Sequence, residues 1–319
     1  MATYIEIHGV KVQYRDSDAT AVEGDVWYNT STGLLKMYAS VGSWAAGGNL
    51  NTAREGLAGS GAGIQTAALV FGGDTPPASA VNESYNGSSW TELADLNQAR
   101  RGPGGFGTQG AASAAAGDAG SATWYDLHEQ WNGTSWTEAA DVNTSRSFLF
   151  CLGTQTAGLV SGGYMPPDFT ATTANTETWN GTAWTEVNNL NTARFGCGGA
   201  GTTTAGLIAG GTSKTESWDG TDWTAEPDMN TIVGANMVVG IQTAALAFGG
   251  SPVGPIGDKT ESWDGSSWAA VADMSTGRDY LSGAGTTTLA LAAGGGTATV
   301  SNATEEWAFA TSKETVAFD

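Results

Sequence analysis

Glu83-Ser84-Tyr85-Asn86-Gly87-Ser88-Ser89-Trp90 is one copy of a phrase that returns along the whole chain. Its general form is Glu, any residue, an aromatic residue, Asn or Asp, Gly, Ser or Thr, any residue and Trp. Close copies begin at Glu129, Glu177, Glu216 and Glu261, and a shortened copy begins at Glu305. The glutamates lie 46, 48, 39, 45 and 44 residues apart. A repeat of this length, made of strand-forming residues, is typical of the blades of a β-propeller.

One unit of the repeat reads as four strands. Residues 56–61 are small and weakly apolar, and residues 67–71 form a short apolar run that ends at Gly72-Gly73. Such a run between turn residues predicts a strand that is buried on both faces. Residues 81–85 and 89–92 give two further strands around Asn86-Gly87. This dipeptide predicts a tight hairpin turn with positive φ at both residues.

Charged and aromatic residues recur once in each unit. An arginine ends the linker before most units, at Arg54, Arg100, Arg146, Arg194 and Arg278, while the fifth unit has Val233. Because an active site needs asymmetry, a residue repeated in every unit favours a structural role. We therefore expect the repeated Glu and Arg to tie strands or blades together, with a different arrangement at Glu261. The repeated tryptophans are expected to pack between blades.

An arginine, an apolar strand ending in Gly-Gly, an aromatic residue, a turn and a Trp together resemble the kelch repeat. The resemblance covers about residues 34–319 and implies an all-β, six-bladed kelch-like β-propeller of four-stranded blades. The Glu-x-Trp phrase departs from the Tyr-Asp pair of most kelch units. The last copy stops at Trp307, and its missing partner is found in Gly42-Ser43-Trp44. We therefore predict that residues 37–46 complete the sixth blade, which removes exposed strand edges.

Composition narrows the classes of function. The net charge is −20 with only 12 Lys and Arg, which disfavours binding to nucleic acid and to anionic membranes. No apolar stretch reaches the length of a membrane span, and the first residues lack the pattern of a secretory leader. With two His and two Cys in the chain, we expect neither a metal nor a cofactor. Cys151 and Cys197 are read as buried free thiols, with a disulfide left open.

The N-terminal residues do not share the repeat. Residues 3–7 and 10–14 alternate like two short strands, and residues 24–38 contain Trp27-Tyr28-Asn29, a Ser-Thr-Gly turn and Leu35-Lys36. The second phrase predicts a hairpin, and it resembles a segment common in tail-fibre and other structural proteins of bacteriophages. The domain prediction is a docking or oligomerisation segment at 1–33, followed by the propeller at 34–319.

Loops of unequal length on a repeated scaffold commonly carry binding residues. The alternative interpretation is that such loops are merely tolerated insertions. The loop between second and third strands separates the double glycine from the Glu by as few as 5 and as many as 14 residues. Trp124 lies outside both series of repeated tryptophans. The candidate binding residues are Tyr164, Met165, Asp168, Phe169, Pro76, Pro77, Pro255 and Trp124.

These observations lead to one expected function and two alternatives. We expect a bacteriophage virion protein, of the fibre, tail or surface-decoration kind, that binds and does not catalyse. Its expected partners are other virion proteins through residues 1–33, further copies of itself, and a glycan or protein of the host surface. The first alternative is a carbohydrate-active enzyme, for which Asp74, Asp118, Asp168 and Asp258 are the loop acids to consider. The second is a cellular adaptor, disfavoured because no partner domain accompanies the repeats.

Overall fold

The chain is all-β in the computed structural model, which describes residues 13–17, 26–120, 123–231, 234–251 and 257–315. Within those ranges no helix is found that could cross a membrane. The first three strands are β1 (Gln13–Arg15), β2 (Val26–Asn29) and β3 (Leu34–Ala46). The predicted strand at 3–7 lies outside the described residues.

The next twenty strands form five four-stranded antiparallel sheets, or blades. Blade 1 contains β4 (Ala58–Gly59), β5 (Ala68–Phe71), β6 (Asn82–Tyr85) and β7 (Trp90–Glu92). Blade 2 contains β8 (Gly104–Thr108), β9 (Ala111–Asp118), β10 (Trp124–Trp131) and β11 (Trp136–Ala139). Blade 3 contains β12 (Phe150–Thr154), β13 (Ala157–Ser161), β14 (Thr176–Trp179) and β15 (Trp184–Val187). Blade 4 contains β16 (Cys197–Thr202), β17 (Ala205–Gly210), β18 (Thr215–Trp218) and β19 (Trp223–Glu226). Blade 5 contains β20 (Met237–Ile241), β21 (Ala244–Phe248), β22 (Thr260–Trp263) and β23 (Trp268–Ala270).

Blade 6 is assembled from both ends of the repeat region. It contains β24 (Ser282–Gly285), β25 (Leu289–Ala293) and β26 (Thr304–Thr315), and β3 is the neighbour of β26 in the sheet. Trp44 packs its ring 5.5 Å from that of Trp307, and its indole N–H donates to Thr260 Oγ1 in blade 5. The predicted closure by residues 37–46 is therefore confirmed.

The six sheets stand around one axis. The innermost strands touch in the cyclic order β4, β8, β12, β16, β20, β24 and back to β4. The second strand of each blade lies between two neighbours of its own sheet and is covered by the adjoining blades. All four residues of β5 are buried, as the apolar run predicted. This arrangement is a six-bladed β-propeller, in agreement with the sequence prediction.

The chain divides into two compact units, Met1–Ser43 with Ala308–Asp319, and Trp44–Trp307. In the first unit, β2 pairs with the start of β3 as the predicted hairpin, and Gly33 makes the turn with φ of 72°. Strand β1 runs parallel to β2 beside it. The docking role assigned to residues 1–33 remains a prediction.

The Asn-Gly turn differs from the prediction. Gly87 has φ of 93°, but Asn86 is not among the residues with positive φ. The connection is instead a four-residue loop in which Asn86 Oδ1 accepts hydrogen bonds from the backbone N–H groups of Ser88 and Ser89. The side chain thus closes the turn, as Asn and Asp commonly do, and Asp219 and Asp264 make the same bonds in blades 4 and 5.

A buried ion pair is repeated in five blades. Each Arg donates to a carboxylate oxygen of the Glu that opens the repeat phrase, at 2.5 to 3.0 Å, and both side chains are almost fully buried. The pairs are Arg54–Glu83, Arg100–Glu129, Arg146–Glu177, Arg194–Glu216 and Arg278–Glu305. The same glutamates also accept backbone N–H groups from the linker, as Glu83 does from Asn51. This confirms the structural interpretation of the repeated Glu and Arg.

Blade 5 holds its glutamate differently. Glu261 is buried and accepts hydrogen bonds from Asn230 and Thr231, but it has no ion pair within the described ranges. Val233, which takes the place of the arginine in the sequence, lies outside the residues that the structure describes. The different arrangement expected at Glu261 is therefore confirmed.

Tryptophans on the outermost strands link neighbouring blades. Five of these six tryptophans donate the indole N–H to the residue before the Glu of the preceding blade, for example Trp268 to Thr215 Oγ1 at 2.9 Å, and Trp136 is the exception. His128 takes the threonine's place in blade 2, where its Nδ1 lies 3.3 Å from Trp184 Nε1. Nδ1 accepts this bond only when it is unprotonated. Burial lowers the pKa of His128 to about 4, so the imidazole is neutral at pH 7.

The ion pairs predict unequal costs for one substitution in two blades. Glu177→Gln leaves the buried Arg146 charge uncompensated and should lower the free energy of unfolding by about 3–5 kcal/mol. Glu261→Gln leaves no buried charge behind and should cost about 1–2 kcal/mol through weakened hydrogen bonds. Urea unfolding of both variants measures the difference, and equal costs would contradict the structural role given to the pair.

His128 predicts an acid-dependent loss of stability. Its folded pKa of about 4 lies below the ordinary value of 6.5, so the unfolded chain binds more protons between these values. The contribution of neutral His128 to the free energy of unfolding is complete above pH 6.5. It is lost as the pH falls towards 4, by about 3 kcal/mol in all. His128→Thr, which copies blades 3 to 6, should remove this part of the acid limb in urea unfolding curves. Parallel pH profiles for the two proteins would exclude the assignment.

Candidate functional site

The residue directly after the repeated arginine starts an irregular turn at one end of the propeller axis. In five blades this residue, which in blade 5 follows Val233 in place of the arginine, forms an antiparallel bridge with the residue that follows the second strand's glycine position. The bridged pairs are Glu55–Asp74, Arg101–Asp118, Ser147–Tyr164, Gly234–Ser251 and Asp279–Gly296. We call these residues, with the next residue of each linker, the rim. The backbone pairing is the same in these five blades, but the side chains differ.

The second rim position of each linker has a left-handed backbone. Its φ values lie between 50° and 60° in all six blades, at Gly56, Gly102, Phe148, Gly196, Ala235 and Tyr280. Five backbone hydrogen bonds connect these residues from blade to blade, for example from Phe148 N to Gly102 O at 2.7 Å. They form a ring of peptide groups around the axis. Glycine is the residue that this conformation favours, so the aromatic side chains of Phe148 and Tyr280 are held at a conformational cost.

A cavity of about 220 Å³ opens on the rim. Its wall consists of Glu55, Gly56, Asp74, Arg101, Phe148, Tyr164, Phe169 and Tyr280. The acidic groups of the wall, Glu55 and Asp74, belong to blade 1 and its linker, whereas the aromatic rings come from blade 3 and, with Tyr280, from the linker of blade 6. The cavity therefore has an acidic side and an aromatic side, a combination suited to a ligand that carries both polar groups and a ring face.

The Glu55 carboxylate of the cavity wall lies close to the carboxylate of Asp279, the residue before Tyr280. Glu55 Oε2 and Asp279 Oδ1 lie 2.1 and 2.9 Å from the point where a Cβ on Gly296 would stand, so they are at most 5.0 Å apart. Burial raises the pKa of Glu55, and the nearby Asp279 and Asp74 raise it further. Burial also raises the pKa of Asp279. The pair therefore holds its negative charge less readily than exposed carboxylates do.

Arg101 joins the two sides of the cavity. Its Nε donates to Asp118 Oδ1 at 2.8 Å, and its Nη1 lies 3.3 Å from Asp74 Oδ2. The guanidinium also lies over the ring of Phe169, with Cζ 5.0 Å from the ring centre. The charge of Arg101 is thus committed to Asp118 and Asp74.

The aromatic side is a chain of ring contacts. Tyr164 stacks on Phe195 with ring centres 3.8 Å apart and meets Phe169 edge-on at 5.5 Å. Phe148 and Tyr280 meet edge-on at 5.0 Å. Burial, and after it the neighbouring Tyr164, raises the pKa of Tyr280 to about 12, so its hydroxyl stays protonated and can donate a hydrogen bond.

The predicted contact residues are distributed unevenly around this site. Tyr164 and Phe169 line the cavity, and Trp124 packs behind it with its ring 4.7 Å from that of Phe169. Met165 is half-buried beside them, whereas Asp168 is exposed and its carboxylate accepts bonds from Thr170. Pro76 and Pro77 are exposed in the loop of blade 1 and do not line the cavity. Pro255 lies outside the described residues.

Sequence reasoning missed Glu55, Arg101, Phe148, Asp279 and Tyr280. These residues lie one or two positions after the repeated arginines. They are not in the loops between second and third strands, where the binding residues were expected. A signal was present, since three linkers continue with Gly at the second rim position while two have an aromatic residue. The differences between blades at this one position of the repeat therefore indicated the site.

The other chemical candidates do not form a site. Among the described residues, no group of three or more His, Cys, Asp and Glu is arranged to hold a metal ion. Cys151 is a free, buried thiol beside the axis, and burial raises its pKa. A second cavity of about 390 Å³ lies at the opposite end of the axis and is lined by small and apolar residues.

Comparison with known proteins supports the fold alone. The solved "Structure of YjhT" aligns with a TM-score of 0.67 and 12% sequence identity, covering 81% of this chain and 96% of that chain. At this identity the similarity establishes a shared propeller fold and carries no function. No family model and no curated protein matches the sequence.

The rim predicts an unusual ranking of two small residues. At Tyr280, Gly should be more stable than Ala by about 1 kcal/mol, because φ of 50° strains any residue with a Cβ. Urea unfolding of Tyr280→Gly and Tyr280→Ala measures this. Ser113, a buried residue of β9 without positive φ, is the control, and there Ala should be the more stable. A more stable Ala at both positions would show that the rim is unstrained.

Proposed function

We propose that this chain is a bacteriophage virion structural protein that acts by binding, and that the rim is its recognition site. The observation that carries the binding part is the rim's asymmetry on a repeated backbone. Six equivalent positions hold glycine, alanine or a bulky aromatic residue in one strained conformation. Strain of this kind persists where surrounding structure maintains it, and it is concentrated at functional sites.

The virion part of the proposal rests on the N-terminal hairpin. The phrase at residues 24–38 resembles segments of phage tail fibres and other phage structural proteins, and β2 with β3 forms the hairpin that the phrase predicts. The acidic composition fits a particle protein that must not associate with nucleic acid. Attachment through residues 1–33 would leave the propeller to present its rim.

A carbohydrate-active enzyme is the second candidate, and one observation favours it. Glu55 and Asp279 are at most 5.0 Å apart, near the separation of about 5–5.5 Å between the two carboxyl groups of retaining glycosidases. The loop acids suggested by the sequence are less suited, since Asp74 and Asp118 bind Arg101 and Asp258 lies beside Lys259. The binding proposal accounts for the aromatic side of the cavity as well as for the carboxylates, so we prefer it.

The proposal predicts that the protein is a stoichiometric component of purified phage particles. Quantitative mass spectrometry of gradient-purified particles measures its copy number. Purified protein should also reduce adsorption of those particles to their host, while Tyr280→Gly should not, because it keeps the backbone and removes a ring of the rim. A chain absent from the particles, or one that hydrolyses glycosides in a manner abolished by Glu55→Gln, would overturn the proposal.

A further inference from the structure

Glu55 in the wall of the rim cavity and Asp279 beside it form a carboxylate pair that is only partly compensated, by the charge of Arg101 at a distance longer than an ion pair. Arg101 is engaged by Asp118 and Asp74, and no basic side chain pairs with Glu55 or Asp279 among the residues described. Two half-buried carboxylates at most 5.0 Å apart repel each other. A bound cation between them would remove this repulsion, and a bound anion would increase it.

The aromatic side of the same cavity favours an organic cation. The rings of Phe148, Tyr164 and Tyr280 line the same cavity as the Glu55 carboxylate. A cation gains energy over the face of an aromatic ring, and the guanidinium of Arg101 over Phe169 is an example within this wall. A hydrated metal ion makes no use of aromatic faces, whereas an ammonium group attached to a ring uses both sides of the cavity.

Resting on the proposed binding function, we propose that the rim cavity binds an amino sugar through its protonated free amine. The ammonium group lies between the carboxylates of Glu55 and Asp279, and one face of the sugar ring packs on Phe148 and Tyr280. The volume of about 220 Å³ is below that of most sites for drug-sized ligands, so it fits a single terminal sugar. Acetylation of the amine removes the charge and therefore the main attraction.

Gly296 gives the carboxylate pair its geometry. A Cβ at this residue would lie 2.1 Å from Glu55 Oε2, so Gly296→Ala must displace the end of that flexible side chain. The substitution changes no charge. It therefore separates the position of the Glu55 carboxylate from the overall negative potential of the protein.

The test is isothermal titration of the full chain with glucosamine, glucose and N-acetylglucosamine, at one pH near neutrality and at low salt. Glucosamine should bind at least about tenfold more tightly than the two uncharged sugars. Glu55→Gln and Gly296→Ala should each weaken glucosamine binding about tenfold or more. Glu138→Gln, which removes an exposed carboxylate on the outer strand β11, is the control and should leave binding unchanged.

Three outcomes would overturn the inference. Equal binding of glucose and glucosamine would remove the role of the amine, and so would unchanged glucosamine binding in Gly296→Ala and Glu55→Gln. Binding of calcium chloride, lost in Glu55→Gln, together with no binding of glucosamine, would assign the pair to a divalent cation. None of these results affects the proposed virion role, which is decided by the composition of the particle and by the adsorption assay.

Discussion

The buried pair of arginine and glutamate is the interaction on which the rest of the structure depends. In each of five blades it joins the linker that enters the blade to the third strand, without exposure to solvent. The glutamate accepts backbone N–H groups of the linker as well, so the path of the chain into each blade is fixed. Substituting one partner leaves the other as an uncompensated buried charge, so a single substitution in the pair is strongly destabilising.

Because the linker is fixed by these residues, the next two residues of each linker are placed at the end of the axis in a constant backbone conformation. Their side chains are then free to differ without altering the fold. The rim shows the result: glycine at Gly56, Gly102 and Gly196, and aromatic rings at Phe148 and Tyr280. The repeated scaffold thus fixes the backbone positions of the rim, and the side chains that differ between blades determine what the rim can bind. The proposed recognition site thus lies on a backbone that the linker contacts hold in one conformation, which reduces the entropy lost on binding.

Blade 2 departs from the repeat at two positions and keeps the backbone and hydrogen-bond geometry of the other blades there. Ala116 takes the place of a glycine and adopts φ of 60°, and His128 replaces a threonine as the acceptor for Trp184. Both substitutions keep the geometry of the position they occupy. Blade 1 shows the limit of this tolerance, since the indole N–H of Trp136 and Oδ1 of Asn82, its partner by position, are both buried without a hydrogen-bond partner.

The sequence by itself determined the architecture. The repeated phrase predicted six blades, the apolar runs predicted the buried second strands, and the fragment around Trp44 predicted the closure of blade 6. These features are local or periodic, and each copy supports the reading of the others. The turn at Asn86-Gly87 was wrong in detail, because a side-chain hydrogen bond closes a longer loop there.

Only the tertiary structure decided the candidate site. Glu55 and Asp279 belong to opposite ends of the chain, and ring closure brings their carboxylates to within 5.0 Å of each other. The sequence placed Tyr164 and Phe169 in a loop, but nothing in it indicated that Arg101 from another blade would lie over Phe169. Periodicity reports what every blade has in common. A site made of the differences between blades exists only once the ring has placed them side by side.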